Sequence, residues 1–238
     1  KGFLYHRDNI DNIVFNVTEG EAVTRIGSEA FKDLGHIILL ALPGGVEDIG
    51  YNFIGNTKID EVRIPADFTY TNGLSPQTVF RKEYSKSAIG RFTVAAGNEK
   101  YLSYNNALYY IENNGSYSLL NAADDSLSLP LHSETNRIYE YAYAYTSLTD
   151  FTVPASVTRI DSYAFYNRKL RNVTIEKGDS ALLFGAGAFS YCDSLESFTV
   201  DETDTRFAVS GGALFSGDMS TLIACPPSVT ELTLPAET

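Results

Sequence analysis

The side chains able to do chemistry are few and scattered along the chain. His6, His36 and His132 fall in unrelated segments, with no His-x-x-x-His and no Cys-x-x-Cys beside them, so the spacing a zinc site needs is missing. They read as surface or loop residues. Asp201, Glu202 and Asp204 could hold calcium weakly, but the alternating acidic loop with its glycine and distal glutamate is absent, which leaves a solvated acidic loop. Gly185-Ala186-Gly187 lacks the third glycine and the preceding strand of a dinucleotide-binding turn, so tight packing of a turn is expected there. A carboxylate pair for glycoside hydrolysis would depend on a separation in space, and nothing in the sequence singles out such a pair. Cys192 and Cys225 are too few for a disulfide framework. Cys192 reads as a small buried hydrophobe. The chain is therefore expected to be no enzyme and to need no cofactor and no metal.

Composition narrows the partners. With 18 basic against 30 acidic residues the formal charge is -12, which repels polyanions and excludes nucleic acid as an expected partner. No stretch reaches the roughly 20 apolar residues that span a bilayer, and no basic segment followed by an apolar one opens the chain. Tyr (16) and Phe (14) abound while charged residues make up 20%, a profile that favours strand and turn. The chain begins with Lys1-Gly2-Phe3 and ends with Pro235-Ala236-Glu237-Thr238, inside a recurring pattern, which reads as a fragment of a longer exported protein.

That pattern supplies the elements that must position any site. Ile160, Phe165, Leu170, Val173 and Ile175 set a spacing of five, five, three and two. It recurs at Ile26, Phe31, Ile37, Leu40 and Leu42 with one insertion, at Ile49, Ile54, Ile59, Val62 and Ile64, and at Val79, Tyr84, Ile89, Phe92 and Val94. Ile138, Tyr143, Leu148, Phe151 and Val153 form a fifth copy, and Phe184, Phe189, Leu195, Phe198 and Val200 a sixth. Alanine precedes the aromatic at Ala30, Ala142, Ala164 and Ala188, and proline follows the last apolar residue at Pro43, Pro65 and Pro154. The apolar pair two apart predicts a short strand, and the stretch before it predicts a helical or irregular turn tucked under the sheet. Phe15-Asn16-Val17, Leu127-Ser128-Leu129 and Leu232-Thr233-Leu234 add three strand-only rungs, for nine in all, most of them 22 to 25 residues apart. That period is one of stacked leucine-rich repeats, in which no copy buries its apolar face alone.

Phe92, Val94, Tyr101, Ala107, Leu108 and Tyr109 match Phe198, Val200, Phe207, Ala213, Leu214 and Phe215 at a constant offset of 106. Each long step contains two apolar runs around a turn signal, Asn113-Asn114-Gly115 or Gly217-Asp218, predicting β-hairpin insertions at about 95–126 and 201–231. The expected fold is a β-rich α/β solenoid spanning 1–238 as one domain. It would be a right-handed leucine-rich-repeat superhelix with a parallel sheet on its concave face, short helical turns on the other and inserted hairpins.

The motif I-x-x-x-A-F-x-x-x-x-L-x-x-V-x-I-P resembles that of the BspA-like leucine-rich-repeat proteins, found on the surfaces of gut and oral bacteria and some protozoa. The resemblance covers nearly the whole chain and is strongest over 157–175 and 147–154. Cys192 matches the cysteine of the family's A-F-x-x-C-x-x-L, a slot held elsewhere by Leu34, Thr57, Ser87, Thr146 or Arg168. The resemblance implies a secreted or surface-anchored module for adhesion or protein recognition; it names no ligand and carries no catalytic residue.

The residue between the two strand hydrophobes points away from the core. Down the rungs it reads Asn16, Ala41, Arg63, Thr93, Ser128, Thr152, Thr174, Thr199 and Thr233, a hydroxyl ladder from Thr93 onward. Thr and Ser suit an exposed sheet on structural grounds alone, but the same strip is also a flat polar docking face. Beside it run Glu61, Arg91, Asp150, Asn172, Ser197 and Glu231. The candidate ligand-binding residues are Arg63, Thr93, Ser128, Thr152, Thr174, Thr199, Asp150 and Asn172. Of Tyr139, Tyr141, Tyr143 and Tyr145 only Tyr143 occupies the aromatic slot; the others would either pack between turns, stack on sugar rings or form a contact patch. The expected function is non-catalytic recognition of protein or glycan at a cell surface, the alternative a structural spacer displaying another domain, and a hydrolase the last choice.

Overall fold

The computed structural model describes residues 9–15, 23–69, 80, 88–124, 127 and 129–232. The chain divides into two compact units, Lys1–His132 and Ser133–Thr238.

In the first unit β1 (Asn9–Val14), β3 (His36–Ala41), β5 (Lys58–Ile64) and β6 (Ala88–Val94) form a parallel sheet in that order, and β2 (Arg25–Ile26) and β4 (Asp48–Ile49) pair as a smaller one. The register sets Leu40 opposite Val62 and Val62 opposite Phe92, as the repeat spacing predicts. These residues are buried and Arg63 between them and Ile64 is exposed, the alternation of a sheet with one face covered. The first rung is two residues earlier than expected: Ile13, and not Phe15, lies opposite Leu40. Phe15 instead meets Phe31 edge-on at 6.3 Å. Asn16 and Val17 lie outside the described residues.

In the second unit β11 (Asp150–Val153), β13 (Asn172–Ile175) and β15 (Ser197–Val200) form the parallel sheet. The two-residue strands β12 (Arg159–Ile160) and β14 (Leu183–Phe184) extend from β10 (Thr135–Ile138) as a second parallel ladder. Each coil thus contributes two strands, and the template positions Ile138, Ile160 and Phe184 sit side by side. Between the two ladders Phe165, fully buried, stacks on Tyr143 at 5.0 Å and on Phe189 at 5.3 Å. Burying such a ring contributes about 2–3 kcal/mol.

The turns between the ladders are not helical, which removes the α/β description: among the described residues there is no α-helix. The reason is in the backbone. The residue before each Ala-aromatic pair has positive φ, 58° at Glu29, 59° at Tyr141, 57° at Tyr163 and 65° at Gly187, a left-handed conformation that a helix cannot contain. Successive donors then alternate in direction. Ala30 N bonds to Gly27 O in its own turn, Phe31 N to Phe53 O in the next coil, Lys32 N to Glu29 O and Asp33 N to Gly55 O. The same alternation carries Ala164, Phe165 and Tyr166. Half of the donors that would close helical rings are spent on the neighbouring coil. The same phase places Ile54 in the aromatic slot of the second coil, two residues after the positive φ of Asn52, with Phe53 in the alanine position and its carbonyl accepting from Phe31 N.

The two insertions are three-stranded antiparallel meanders, one strand more than the predicted hairpins. In the first unit they are β7 (Tyr101–Tyr104), β8 (Ala107–Ile111) and β9 (Tyr117–Asn121); in the second, β16 (Phe207–Ser210), β17 (Ala213–Ser216) and β18 (Leu222–Ala224). The extra strand comes from a two-residue turn ahead of the predicted one. Asn105 (φ 48°) and Asn106 (φ 67°) make it in one module, Gly211 (φ 55°) and Gly212 (φ 86°) in the other, both pairs in the doubly left-handed state of a type I′ turn. The 106-residue offset holds down to the register shift, at Leu108/Tyr109 and again at Leu214/Phe215. Leu127 and Leu129 form no rung: Leu129 is exposed, and Asn105 Nδ2 takes the carbonyl of Pro130 at 2.9 Å, drawing the segment onto the meander. Ser128 lies outside the described residues, as do 233–238 of the last expected rung.

Candidate recognition surface

A coil of this kind has one face committed to packing and one free, so the outward columns of the parallel sheets are where side chains can be displayed. In the second unit Thr152, Thr174 and Thr199 lie in register and are all exposed. Among the described residues their hydroxyls have no hydrogen-bond partner. The column beside them is internally satisfied: Asn172 Nδ2 donates to Asp150 Oδ1 at 2.6 Å, and Ser197 Oγ donates to Asn172 Oδ1 at 2.9 Å. Thr149 Oγ1 donates to the other Asp150 oxygen, and these bonds, that from Asn172 first, hold the Asp150 carboxyl below the usual range. Arg171 and Glu196 flank the strip as an ion pair at 2.5 Å, which pushes the guanidinium pKa up.

In the first unit the outward column is Ala41, Arg63 and Thr93, next to Leu39, Glu61 and Arg91. Glu61 organises it. Its carboxylate is largely covered and accepts from Arg63 Nη2 at 3.0 Å, Arg91 Nη2 at 2.9 Å and Thr93 Oγ1 at 2.8 Å. Burial alone would raise its pKa, but the bonds from Thr93, Arg91 and Arg63 outweigh it and lower the value. Two guanidiniums are thereby held side by side with donors to spare. Next to them a cavity of about 500 Å³ is lined by Ile38, Lys58, Asp60, Glu61, Gly90 and Arg91, among others. Gly90 is required there, because a Cβ would stand 2.6 Å from the Asp60 carbonyl oxygen. His36 Nε2 lies 2.8 Å from Asp60 Oδ1, and that bond leads the effects lowering the Asp60 pKa.

The structure thus brings Thr152, Thr174, Thr199, Asp150 and Asn172 together on one strip, and Arg63 with Thr93 on another. Ser128 lies outside the described residues. The role of Glu61 was less legible: its signal is a carboxylate two residues from Arg63 on the same face of a strand, with Arg91 across the ladder.

The other reactive groups are structural. Asp204 is buried and gripped by Arg206 Nη2 at 2.7 Å, while Arg206 also reaches the carbonyls of Ser180 and Glu176; Asp201 accepts from Thr203. The acidic cluster is therefore engaged in loop bonds, and among the described residues no three His, Cys, Asp or Glu side chains gather as a metal would need. His132 packs against Tyr104 and Tyr117, and His6 lies outside the described residues. Cys192 is buried and donates from Sγ to Phe165 O at 2.8 Å; burial pushes its thiol up to about 11. Both cysteines are free. Thr57 Oγ1 makes the equivalent bond to Phe31 O at 2.6 Å, so the bond does not depend on a thiol. Beside Thr146 that place is filled by Asn167, which donates to Thr146 Oγ1 and Leu148 O, while Arg168 points out to Asp193. Gly185 has no room for a Cβ, which would lie 2.3 Å from Ser162 N.

The family model for the BspA type leucine rich repeat region matches in six copies over residues 2–83 and 100–233. The chain belongs to this family. No curated protein matches it in sequence. A leucine-rich repeat protein from Eubacterium ventriosum ATCC 27560 is similar in structure, at 19% identity and a TM-score of 0.53 over 74% of this chain and 45% of that one. This BspA-type chain therefore spans less than half the length of that protein. The pneumococcal vaccine antigen PcpA matches at 14% identity and a TM-score of 0.49, over 77% of this chain and 61% of its own. A leucine rich cell surface protein from Faecalibacterium prausnitzii A2-165 matches at 15% and 0.30, over 85% and 90%.

Proposed function

We propose that this chain is a non-catalytic recognition module of an exported, surface-displayed protein, and that it binds a protein ligand through the outward faces of its parallel sheets. The observation that carries this reading is the row Thr152, Thr174 and Thr199, in register, exposed and unengaged, beside a column whose polar groups are already satisfied. Such a row offers donors and acceptors at the spacing of adjacent strands, about 4.8 Å, without having to break bonds first. Asp150 and Asn172 border it, and Arg63, Arg91 and Thr93 around Glu61 supply a second patch with guanidinium donors for acidic groups. The BspA-type repeat supports the surface setting. Thr152→Lys, Thr174→Lys and Thr199→Lys combined should abolish capture of whichever member of a panel of purified extracellular-matrix and secreted mucosal proteins the unmodified chain binds in surface plasmon resonance. The melting temperature should stay unchanged. The reading fails if no member binds, the result a spacer would give, or if the triple variant captures the same protein equally well.

A further inference from the structure

The turn edge of the second unit carries an anomaly that protein recognition on the sheet does not use. Left-handed backbone is cheap for glycine, asparagine and aspartate and costly for bulky side chains. The first unit follows that preference in part, with Asp33, Asn52 and Asn56 at such positions. The second unit places Tyr141, Tyr145, Tyr163 and Tyr191 there, all at φ near 59°. Three of them keep much of their surface in water: Tyr145 is 38% exposed, Tyr163 37% and Tyr191 54%. Strain borne to hold large aromatic rings at the surface points to a use for the rings.

Their arrangement shows what that use is. Tyr141, Tyr163 and Gly187 occupy the same position in three successive coils, each preceding an alanine and an aromatic residue. Tyr141 stacks on one face of Tyr163 at 5.6 Å and 11°. In the next coil the column stops, because Gly187 has no side chain; a Cβ there would touch the Tyr163 ring at 3.4 Å. One face of Tyr163 is therefore covered by a ring, while towards the next coil no ring follows and Ser190 Oγ stands 2.4 Å from where a Gly187 Cβ would be. Tyr191 and Tyr166, 4.5 Å apart, belong to the same turns, and Ser190 Oγ lies against Gly187. Gly187, Ser190, Tyr191 and Asp193 also line a cavity of about 330 Å³, closed on its other side by Ile223 and Pro227 and with Tyr191, not Tyr163, as its aromatic edge.

We infer that this missing rung is a binding site for one ring of a neutral pyranose oligosaccharide. A pyranose has an apolar face of C–H groups, which suits the electron-rich face of an aromatic ring, and a rim of hydroxyls. The exposed rings of Tyr191, on the cavity wall, and Tyr163, beside it, take the first, and Ser190 and Asp193 take the second. Charge selects the class: a chain charge of -12 disfavours sulfated or uronic glycans, and the guanidinium nearest the rim, Arg168, is already paired with Asp193. The site is separate from the threonine row, so either can fail without the other.

The test is titration of the whole chain, followed by its tyrosine emission and by calorimetry, with cellohexaose, maltohexaose, mannohexaose and xylohexaose. At least one should bind. Tyr191→Ala and Tyr163→Asn, the second of which keeps a residue at ease in the left-handed turn, should each weaken it by about tenfold or more, a loss of about 1.4 kcal/mol. Gly187→Tyr combined with Ser190→Ala completes the column and should abolish binding with the melting temperature maintained; should this double variant not fold, the Tyr163→Asn result decides. The inference is overturned if none of the four sugars binds, if binding survives Tyr163→Asn undiminished, or if a heparin hexasaccharide or a proline-rich peptide binds there in their place.

Discussion

Thr57 is the residue whose loss is most readily worked out from the structure. It is fully buried, its Oγ1 donates to Phe31 O at 2.6 Å, and it accepts from Leu34 N at 3.1 Å. One hydroxyl thus satisfies a carbonyl and an amide of the preceding coil. Thr57→Val keeps the volume and leaves both backbone groups unpaired in the dry interior. At about 1–3 kcal/mol for each of the two groups, the variant should lose about 2–6 kcal/mol. For a unit of this size, where each kcal/mol moves the midpoint by about 3–5 °C, thermal unfolding of the first unit should fall by about 10 °C. Thr57→Ser retains the hydroxyl and should lose only about 1 kcal/mol for the missing methyl. Urea unfolding followed by circular dichroism measures both. A valine variant within about 0.5 kcal/mol of the unmodified chain would refute the assignment of this bond as the link between coils.

Three further outcomes follow from the same structure. Because the folded-state pKa of Glu61 is depressed, its contribution is present above the ordinary carboxylate range and is lost as pH falls through the folded value; the melting-temperature gap between the unmodified chain and Glu61→Gln should be widest near about pH 7 and close towards about pH 3, and a gap independent of pH would contradict this. Gly185→Ala should cost more than about 2 kcal/mol in denaturant unfolding, since its Cβ would press on backbone at 2.3 Å from Ser162 N. With iodoacetamide at about pH 8, exposed Cys225 should be alkylated while Cys192, with its thiol pushed up to about 11, reacts only after unfolding, as peptide mass spectrometry would show.

The rungs were legible because a two-residue alternation with one dry face leaves little freedom. Val173, Thr174 and Ile175 could be read only one way, and Phe151 and Phe198 fall beside Val173 as their spacing requires. Where two apolar residues compete, sequence cannot choose. Ile13 and Phe15 both suit the first rung, and pairing of Ile10 with Ile37 decides it; Phe53 and Ile54 are both buried, and the positive φ of Asn52 puts the latter in the aromatic slot. The turns looked helical because an alanine and an aromatic residue at spacings of three to five suit a helix. The feature that forbids it, positive φ at Glu29, Tyr141 and Tyr163, falls on residue types that do not advertise it. Asn52, Asn56 and Gly187 at related positions are the hint. Likewise, Asn105-Asn106 and Gly211-Gly212, at the same 106-residue offset, distinguish a meander from a single hairpin. The display columns were readable as positions, but which groups are free and which are spent on each other depends on bonds between coils. That is why Glu61 could be placed beside the strip from its spacing, while its hold on Arg63, Arg91 and Thr93 is visible only in the structure.

The alternation of turn donors, one inward and the next across to the following coil, separates two tasks that most domains entangle. The ladders and the aromatic column fix where every coil sits, and they leave the residue before each alanine free to be Tyr, Glu or Gly. Each coil is then a line of text with one letter that can be rewritten without resetting the page. Exchange of a single coil, or of a single residue such as Gly187, would revise what the edge recognises while its neighbours keep their meaning. A chain assembled this way can acquire new ligands by editing its margin, with its core left as it was.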